Sequence, residues 1–250
     1  YTGGWGNLVM TKVQAEDGPA MQIAPNGSVE TVKSTNRWAG TGRTVFNNKG
    51  MVIRQYEPYF STTHEFENEN VLVQNGVSPV LYYDPVGRNI RTELPDGTFS
   101  KVEFTPWEQR NYDQNDTVPE SQWYADNGSP APEGTEPTDP KQRAAWLTAK
   151  HANTPQLRYL DNLGREYMVE DDKGSEGKYR VHTQLDIAGR PVAVTDAKNR
   201  VMTTNTSAMQ QALQVHNIDS GTRTILNDAG GQPLYSWDDR GHQLRSTYDA

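Results

Sequence analysis

The feature that most limits what this chain can become is a turn signal that returns about every ten residues. Its fullest copy is YYDPVGRNIRTELPDGT, from Tyr82 to Thr98. Tyr82 and Tyr83 read as strand. Asp84 opens a turn by offering its carboxylate to backbone N–H groups, and Pro85 presets the φ of a type I turn. Gly87 supplies the left-handed residue that closes a hairpin with a bulge. The returning strand, Arg88 to Leu94, meets a second turn at Pro95, Asp96 and Gly97. A chain turned this often has room for short strands and little for long helices.

Most of the sequence reads as imperfect copies of that hairpin. RTVFNNKGMVIRQYEP places Asn47 and Gly50 at a turn, with Met51 to Tyr56 returning. LRYLDNLGREYMVEDDKG carries Asp161 with Gly164, then Asp171 with Gly174. HTQLDIAGRPVAVTDAKNRV carries Asp186 with Gly189, then Asp196 with Asn199, Asn being a residue that tolerates the left-handed region. ILNDAGGQPLYSWDDRGHQLRSTYDA gives Asn227 with Gly230 and Asp238 with Gly241, and Asp249 opens another turn. Phe46, Tyr83, Leu160, Leu185, Leu226 and Trp237 each precede the Asn or Asp of a turn, so the turn residue and a packed strand residue are specified together. The opening YTGGWGNLVMTKV is a degenerate copy with Gly6 at its turn and Leu8 to Val13 as returning strand. NTSAMQQALQ, residues 205 to 214, reads as helix on propensity, but Gln210 lies 21 residues after Gly189 and 20 before Gly230, which favours a decayed repeat.

Three tracts follow: repeats with an inserted loop over 1–118, a Pro-rich loop and short helix over 119–155, and dense repeats over 156–250. The inserted loop runs from Glu57 to Ser78 and carries Glu65, Glu67 and Glu69; weak alternation there predicts a surface loop. Phe99 to Phe104 alternates as a strand does, and Trp107 to Thr117 is polar and irregular. Pro119, Pro130, Pro132 and Pro137 predict loop over 119–138. Asp139 as N-cap and Pro140 at the first helical position then start a helix near 140–151, which Trp146 and Leu147 are expected to dock onto the sheet.

A hydrophobic content of 34% and a mean hydropathy of −0.85 leave little material for a thick core, so a thin or hollow architecture fits better than a compact globule. A net charge of −8 without clustered Lys and Arg argues against nucleic acid. Cysteine is absent, so neither a disulfide framework nor a Cys-ligated metal is available, and the redox compartment stays open. No apolar run approaches the roughly 18–20 residues of a membrane span. The chain starts at Tyr1 and ends at Asp249 and Ala250 within another repeat, so it is expected to be a piece of something longer, and missing targeting signals carry no information.

The repeated Asp residues are open to readings as catalytic carboxylates or calcium ligands, but each occupies a turn position that explains it sterically. Asp171 with Asp172 and Asp238 with Asp239 are the best calcium candidates, without the ligand spacing of an EF-hand loop. His64, His151, His182, His216 and His242 are scattered, with no HExxH spacing. GxSxG and a phosphate-binding glycine loop are absent, and GTGR at Gly40 to Arg43 is too short to count. Arg88, Arg165 and Arg190, each directly after a turn glycine, form either a ligand-binding row or pairs with neighbouring Asp or Glu across strands; the pairs are favoured. Trp38, Trp107, Trp123 and Trp237 can stack on sugars or simply pack a sheet short of aliphatic residues. No catalytic residue, cofactor or metal site is assigned.

YYDPVGR, YLDNLGR, QLDIAGR and SWDDRGHQLRSTYDA resemble the tyrosine-aspartate repeats of Rhs proteins. RWAGTGRTVFNNKGMVIRQYEPYFS, YYDPVGRNIRTELPDGTFSKVEFTPWEQR and EPTDPKQRAAWLTAKHANTP more narrowly resemble the B component of bacterial insecticidal toxin complexes and its SpvB-like relatives. The resemblance covers nearly the whole chain. It implies a mostly β fold of antiparallel hairpin repeats, forming a curved sheet that spirals with the rest of its chain and a C-type component into a hollow shell. That shell would be secreted and would hold a toxic C-terminal polypeptide until a pore-forming component translocates it. The segment itself would be a wall with no enzymatic role, no cofactor and no contact with membrane. Met51, Gly231 and His242 stand where the family has Arg after the turn glycine, and Gln210 replaces a glycine. The family's propeller and its self-cleaving protease region are not evident. Outside this resemblance, a cell-surface adhesion or carbohydrate-binding module is the alternative, and a glycoside hydrolase using two turn carboxylates is a weaker third.

Overall fold

A computed structural model describes residues 1–67 and 78–249. The chain divides into two compact units, Tyr1–Val102 with Asp113–Ala152, and Glu103–Tyr112 with Asn153–Ala250.

The first unit runs through β1 (Lys12–Ala15), β2 (Gly18–Ile23), β3 (Val29–Ser34), β4 (Arg37–Gly40), β5 (Thr44–Phe46), β6 (Val52–Gln55), β7 (Tyr59–Ser61), β8 (Val80–Tyr83), β9 (Asn89–Glu93) and into β10 (Phe99–Phe104). Five strands make a sheet of order β1-β4-β7-β2-β3, antiparallel except where β2 meets β7. In the other ladder β5, β6, β8, β9 and β10 pair antiparallel in succession. Met10, Tyr56 and Tyr59 form a small core with Met21 and Val45 packed against it.

Three expectations fail in this unit. The tract expected as a loop from Glu57 holds β7, in the middle of its sheet, because Tyr59 and Ser61 turn inward while Phe60 faces out. Three residues are too few to show as alternation. Glu69 lies outside the described residues. The Pro-rich tract also forms structure: a 3-10 turn at Val118–Glu120 and α1 (Gln122–Asp126), whose N-terminus Ser121 caps by accepting from the Tyr124 N–H. The expected helix is α2 (Pro140–Ala149), capped by Asp139, whose carboxylate accepts from the N–H groups of Lys141 and Gln142, both at 3.0 Å. Its buried face does not rest on a sheet. Ala145 and Ala149 pack with Val118 and Tyr124, Trp146 donates its indole N–H to the Gly134 carbonyl at 3.2 Å, and Leu147 is exposed.

The second unit is a meander: β11 (Glu108–Tyr112), β12 (Gln156–Leu160), β13 (Glu166–Asp172), β14 (Lys178–Leu185), β15 (Pro191–Thr195), β16 (Val201–Thr206), β17 (Ala212–Asn217), β18 (Gly221–Asn227), β19 (Pro233–Trp237) and β20 (Gln243–Arg245). Each strand pairs antiparallel with the next, so the mostly β, hairpin-built fold is met. The tract read as irregular from Trp107 contains β11; its sequence EQRNY has no apolar face, so periodicity does not reveal it. Residues 205–214 are strand, turn and strand, as a decayed repeat requires.

Because successive hairpins alternate ends, the turns after β12, β14, β16 and β18 share one margin of this sheet. The register slips at every one of them and at none of the turns on the opposite margin. Each slip leaves one residue unopposed: Tyr167, Val192, Leu213 and Leu234. All four are apolar, and each stands three places after the left-handed residue of its turn. Bulges of this kind bend a strand and raise its twist.

Backbone geometry gives a graded test. Gly164 (φ +75°) has open space where a Cβ would go, so Gly164→Ala carries only the left-handed penalty of about 1–2 kcal/mol. Gly42 (φ +79°) has the Tyr56 carbonyl oxygen 2.0 Å from that point. Gly42→Ala is expected to cost more than Gly164→Ala, and Gln210→Gly, at φ +64°, to stabilise by about 1 kcal/mol. Urea midpoints check the order.

Candidate functional site

The repeated turn is one constellation built many times. The Gly87 N–H donates to the Asp84 carbonyl at 3.1 Å and the Asp84 N–H to the Arg88 carbonyl at 3.0 Å. Asp84 Oδ1 accepts from the N–H groups of Val86 (3.0 Å) and Arg88 (2.9 Å), and Oδ2 accepts from Arg88 Nε at 2.7 Å. Asp161 with Arg165, Asp186 with Arg190 and Asp196 with Arg200 reproduce all of this. Asn47 keeps the two backbone bonds without the ion pair. Asp238 substitutes His242, whose Nδ1 lies 2.9 Å from Oδ2. In the decayed copy Ser207 takes the Asp position and Gln210 the glycine position, with φ +64°.

These carboxyls are held below the ordinary aspartate range. For Asp161, Asp186 and Asp196 the leading cause is the backbone N–H of the arginine that follows the turn, with its guanidinium adding to it against desolvation. At Asp84 desolvation is the largest single influence, and the bonds from Arg88 and Val86 together outweigh it. So Arg88, Arg165 and Arg190 do pair with acids, but with the Asp of their own turn rather than across strands. Along the bulged margin neighbouring turns also touch: a Cβ on Gly189 would lie 3.0 Å from Arg165 Cδ.

Two assigned turns shift. The turn read as Asn227 with Gly230 is Asp228 with Gly231: the Gly231 N–H donates to the Asp228 carbonyl at 3.1 Å, Asp228 Oδ1 accepts from the Gln232 N–H at 2.8 Å, and Gly231 has φ +88°. NDAGG offers both frames, and the ten-residue step to Gly241 selects Gly231. Gln232, not Gly231, therefore fills the family's Arg position. Likewise Asp171 sits in the ladder opposite Tyr179, and it is Asp172 whose Oδ1 accepts from the Gly174 N–H at 2.8 Å. Among the described residues no group of three or more His, Asp or Glu side chains is placed to hold a metal ion.

Of the aromatics, Trp38 donates to Asn36 Oδ1 at 3.1 Å and faces His64, Trp123 packs on the helical core, and Trp237 stacks on Tyr235 with centroids 5.9 Å apart. Trp107 is exposed.

Sequence reasoning missed two buried acidic centres. Glu67 lies under the five-stranded sheet, accepting from Lys12 Nζ (2.6 Å), Tyr59 OH (2.5 Å) and Ser61 Oγ (2.7 Å). Lys12 Nζ also donates to the carbonyls of Thr63 and Glu65. Burial, and then the bond to Glu67, push the Tyr59 hydroxyl well above the usual tyrosine range. In the second unit Glu170 accepts from Lys178 Nζ at 2.9 Å and Arg180 Nε at 2.6 Å; the Lys178 bond leads in lowering its carboxyl. Both are satisfied networks that fix local packing.

The fold and its most regular chemistry define a class: an antiparallel repeat scaffold whose polar groups are spent on its own turns. Over its whole length the chain is similar to solved structures of bacterial toxin complexes. It matches TcdB2-TccC3 without the hypervariable C-terminal region at 27% identity and TM-score 0.77, and TcdB2-TccC3-TEV at 26% and 0.79. It also matches the Photorhabdus luminescens Tc holotoxin pore at 27% and 0.76. In each case all of this chain is covered, and 12% of the other. The resemblance to the B component of toxin complexes thus holds in three dimensions. No protein-family model matches the sequence, and no curated protein does.

Two substitutions test the energetics. Lys12→Met strands a buried carboxylate and is expected to cost about 3–5 kcal/mol, part of which Lys12→Met with Glu67→Leu recovers; urea unfolding measures both. Because the turn carboxyls are lowered on folding, the stability they add is present above the unfolded value near pH 4 and is lost as pH falls through the folded one. Urea midpoints followed down to about pH 3 should fall, and fall less in Asp186→Asn, which keeps the two backbone bonds as Asn47 does.

Proposed function

We propose that this chain is a non-enzymatic wall segment of a secreted bacterial toxin complex, one stretch of a longer chain that closes, with a C-type component, around a toxic C-terminal polypeptide. The observation that carries the reading is the match of all of the chain to TcdB2-TccC3 structures, both ladders of hairpins included. The turn chemistry agrees with it. Asp84, Asp161, Asp186 and Asp196 are each engaged by the backbone and arginine of their own turn, which suits a scaffold. The dense repeats of 156–250 would form continuous wall, and the helical insert and the tract from Glu57 would elaborate it.

The test uses a chain carrying these residues, produced together with a C-type component. The C-terminal polypeptide is expected to resist protease inside the complex. Replacing turn glycines Gly164 and Gly189 together by valine should expose it to cleavage. A polypeptide equally sensitive in the intact and the substituted complex would overturn the wall reading.

A further inference from the structure

In the bulged turns the residue that follows the left-handed position does not stay over its own hairpin. It leans onto the next turn along the same margin. In the second unit Arg165, which follows Gly164, has its Cδ 3.0 Å from where a Cβ on Gly189 would stand. Gln211, which follows Gln210, has its Nε2 2.9 Å from the corresponding point on Gly231. The first unit repeats the arrangement in the β5–β6 and β8–β9 turns, which also carry register slips. Met51, after Gly50, has its Sδ 3.3 Å from the Cβ point of Gly87, and Asn7, after Gly6, lies more loosely at 3.5 Å from that of Gly50. A Cβ at Gly87, Gly189 or Gly231 would have to displace the side chain already there. The missing Cβ is therefore occupied space as well as backbone freedom.

Polar bonds run in the same direction. Arg165 Nε donates to Asp161 Oδ2 at 2.7 Å while its Nη1 donates to the Ile187 carbonyl at 3.4 Å. One guanidinium thus ties its own turn to the next, two strands and about 10 Å away. Lys49 of the β5–β6 turn donates to the carbonyl of Pro85, which stands in the Asp84 turn where Ile187 stands in the Asp186 turn, at 2.7 Å. The Arg165 side chain is 32% exposed against 50% for Arg200, which makes the same ion pair on the opposite margin. That margin is not laced in this sense. Its turn after β15 has Asn199, with a Cβ, at the left-handed position, and among the described residues nothing lies within 4 Å of the Cβ point of Gly241. Gly221 meets Asp239 of the turn that follows it, the reverse order.

We propose that Gly87, Gly189 and Gly231 are seats for the side chains that leave the preceding turns, so that successive hairpins are clamped in chain order, with Arg165 as the positioning residue of the Asp186 turn. The clamp is independent of the wall reading, which protease protection tests separately. The full-length chain carrying these residues would be followed by hydrogen exchange and mass spectrometry, on peptides covering the Asp161, Asp186 and Ser207 turns. Arg165→Ala is expected to speed exchange about three- to tenfold in the Asp186 turn, beyond its effect on its own turn. Arg190→Ala, whose next turn has Gln210 in place of a seat, should leave the Ser207 turn unchanged. Asn tolerates the left-handed region, so Gly189→Asn tests the seat apart from φ. It should speed exchange in the Asp161 turn by dislodging Arg165, and should add little there once Arg165 is replaced by Ala. An Asp186 turn that ignores Arg165→Ala, or a Gly189→Asn effect on the Asp161 turn that persists undiminished in the Arg165→Ala background, would overturn the clamp.

Discussion

Everything regular in this protein depends on one carboxylate doing two things at once. In each complete turn Oδ1 ties down two backbone N–H groups while Oδ2 holds the arginine that begins the returning strand. A reversal of the chain normally exposes polar backbone and invites slippage of register. Here the side chain satisfies those groups locally and fixes the frame, so each hairpin is specified by five consecutive residues. The burden on a hydrophobic core falls accordingly. Among the described residues the buried hydrophobic clusters are small, around Met10 and Tyr59 and around Ala145, while the second unit's strands are mostly half-exposed.

The variants of the turn rank its parts. Asn47 dispenses with the ion pair, Asp238 trades arginine for histidine, and Ser207 with Gln210 keeps only the backbone pattern and the hydroxyl bonds. The paired backbone bonds and the left-handed residue are common to all, so they carry the shape. The arginine refines it, as expected for a partly exposed pair worth little by itself.

The hairpins were legible in the sequence because their determinants are local: an Asx residue, a left-handed residue three places on, and a strand residue before. Where two such frames overlap, as in NDAGG, only the ten-residue step separates them. What resisted reading is set by distant partners. The strand at Tyr59–Ser61 exists through its neighbours β4 and β2, and β11 through β12, which follows it after the whole helical insert. Glu67 reads as one acid among several in a polar stretch; its charge partner Lys12 lies 55 residues earlier, out of reach of any local pattern.

The bulges at alternate hairpins constrain how such a chain can change length. Tyr167, Val192, Leu213 and Leu234 all belong to one margin because they lie on every second strand, β13, β15, β17 and β19. Inserting or deleting a single strand would hand every later bulge to the opposite side and reverse the direction in which it bends the sheet. Two strands are therefore the smallest unit that can be added or removed while every later bulge keeps its side of the sheet.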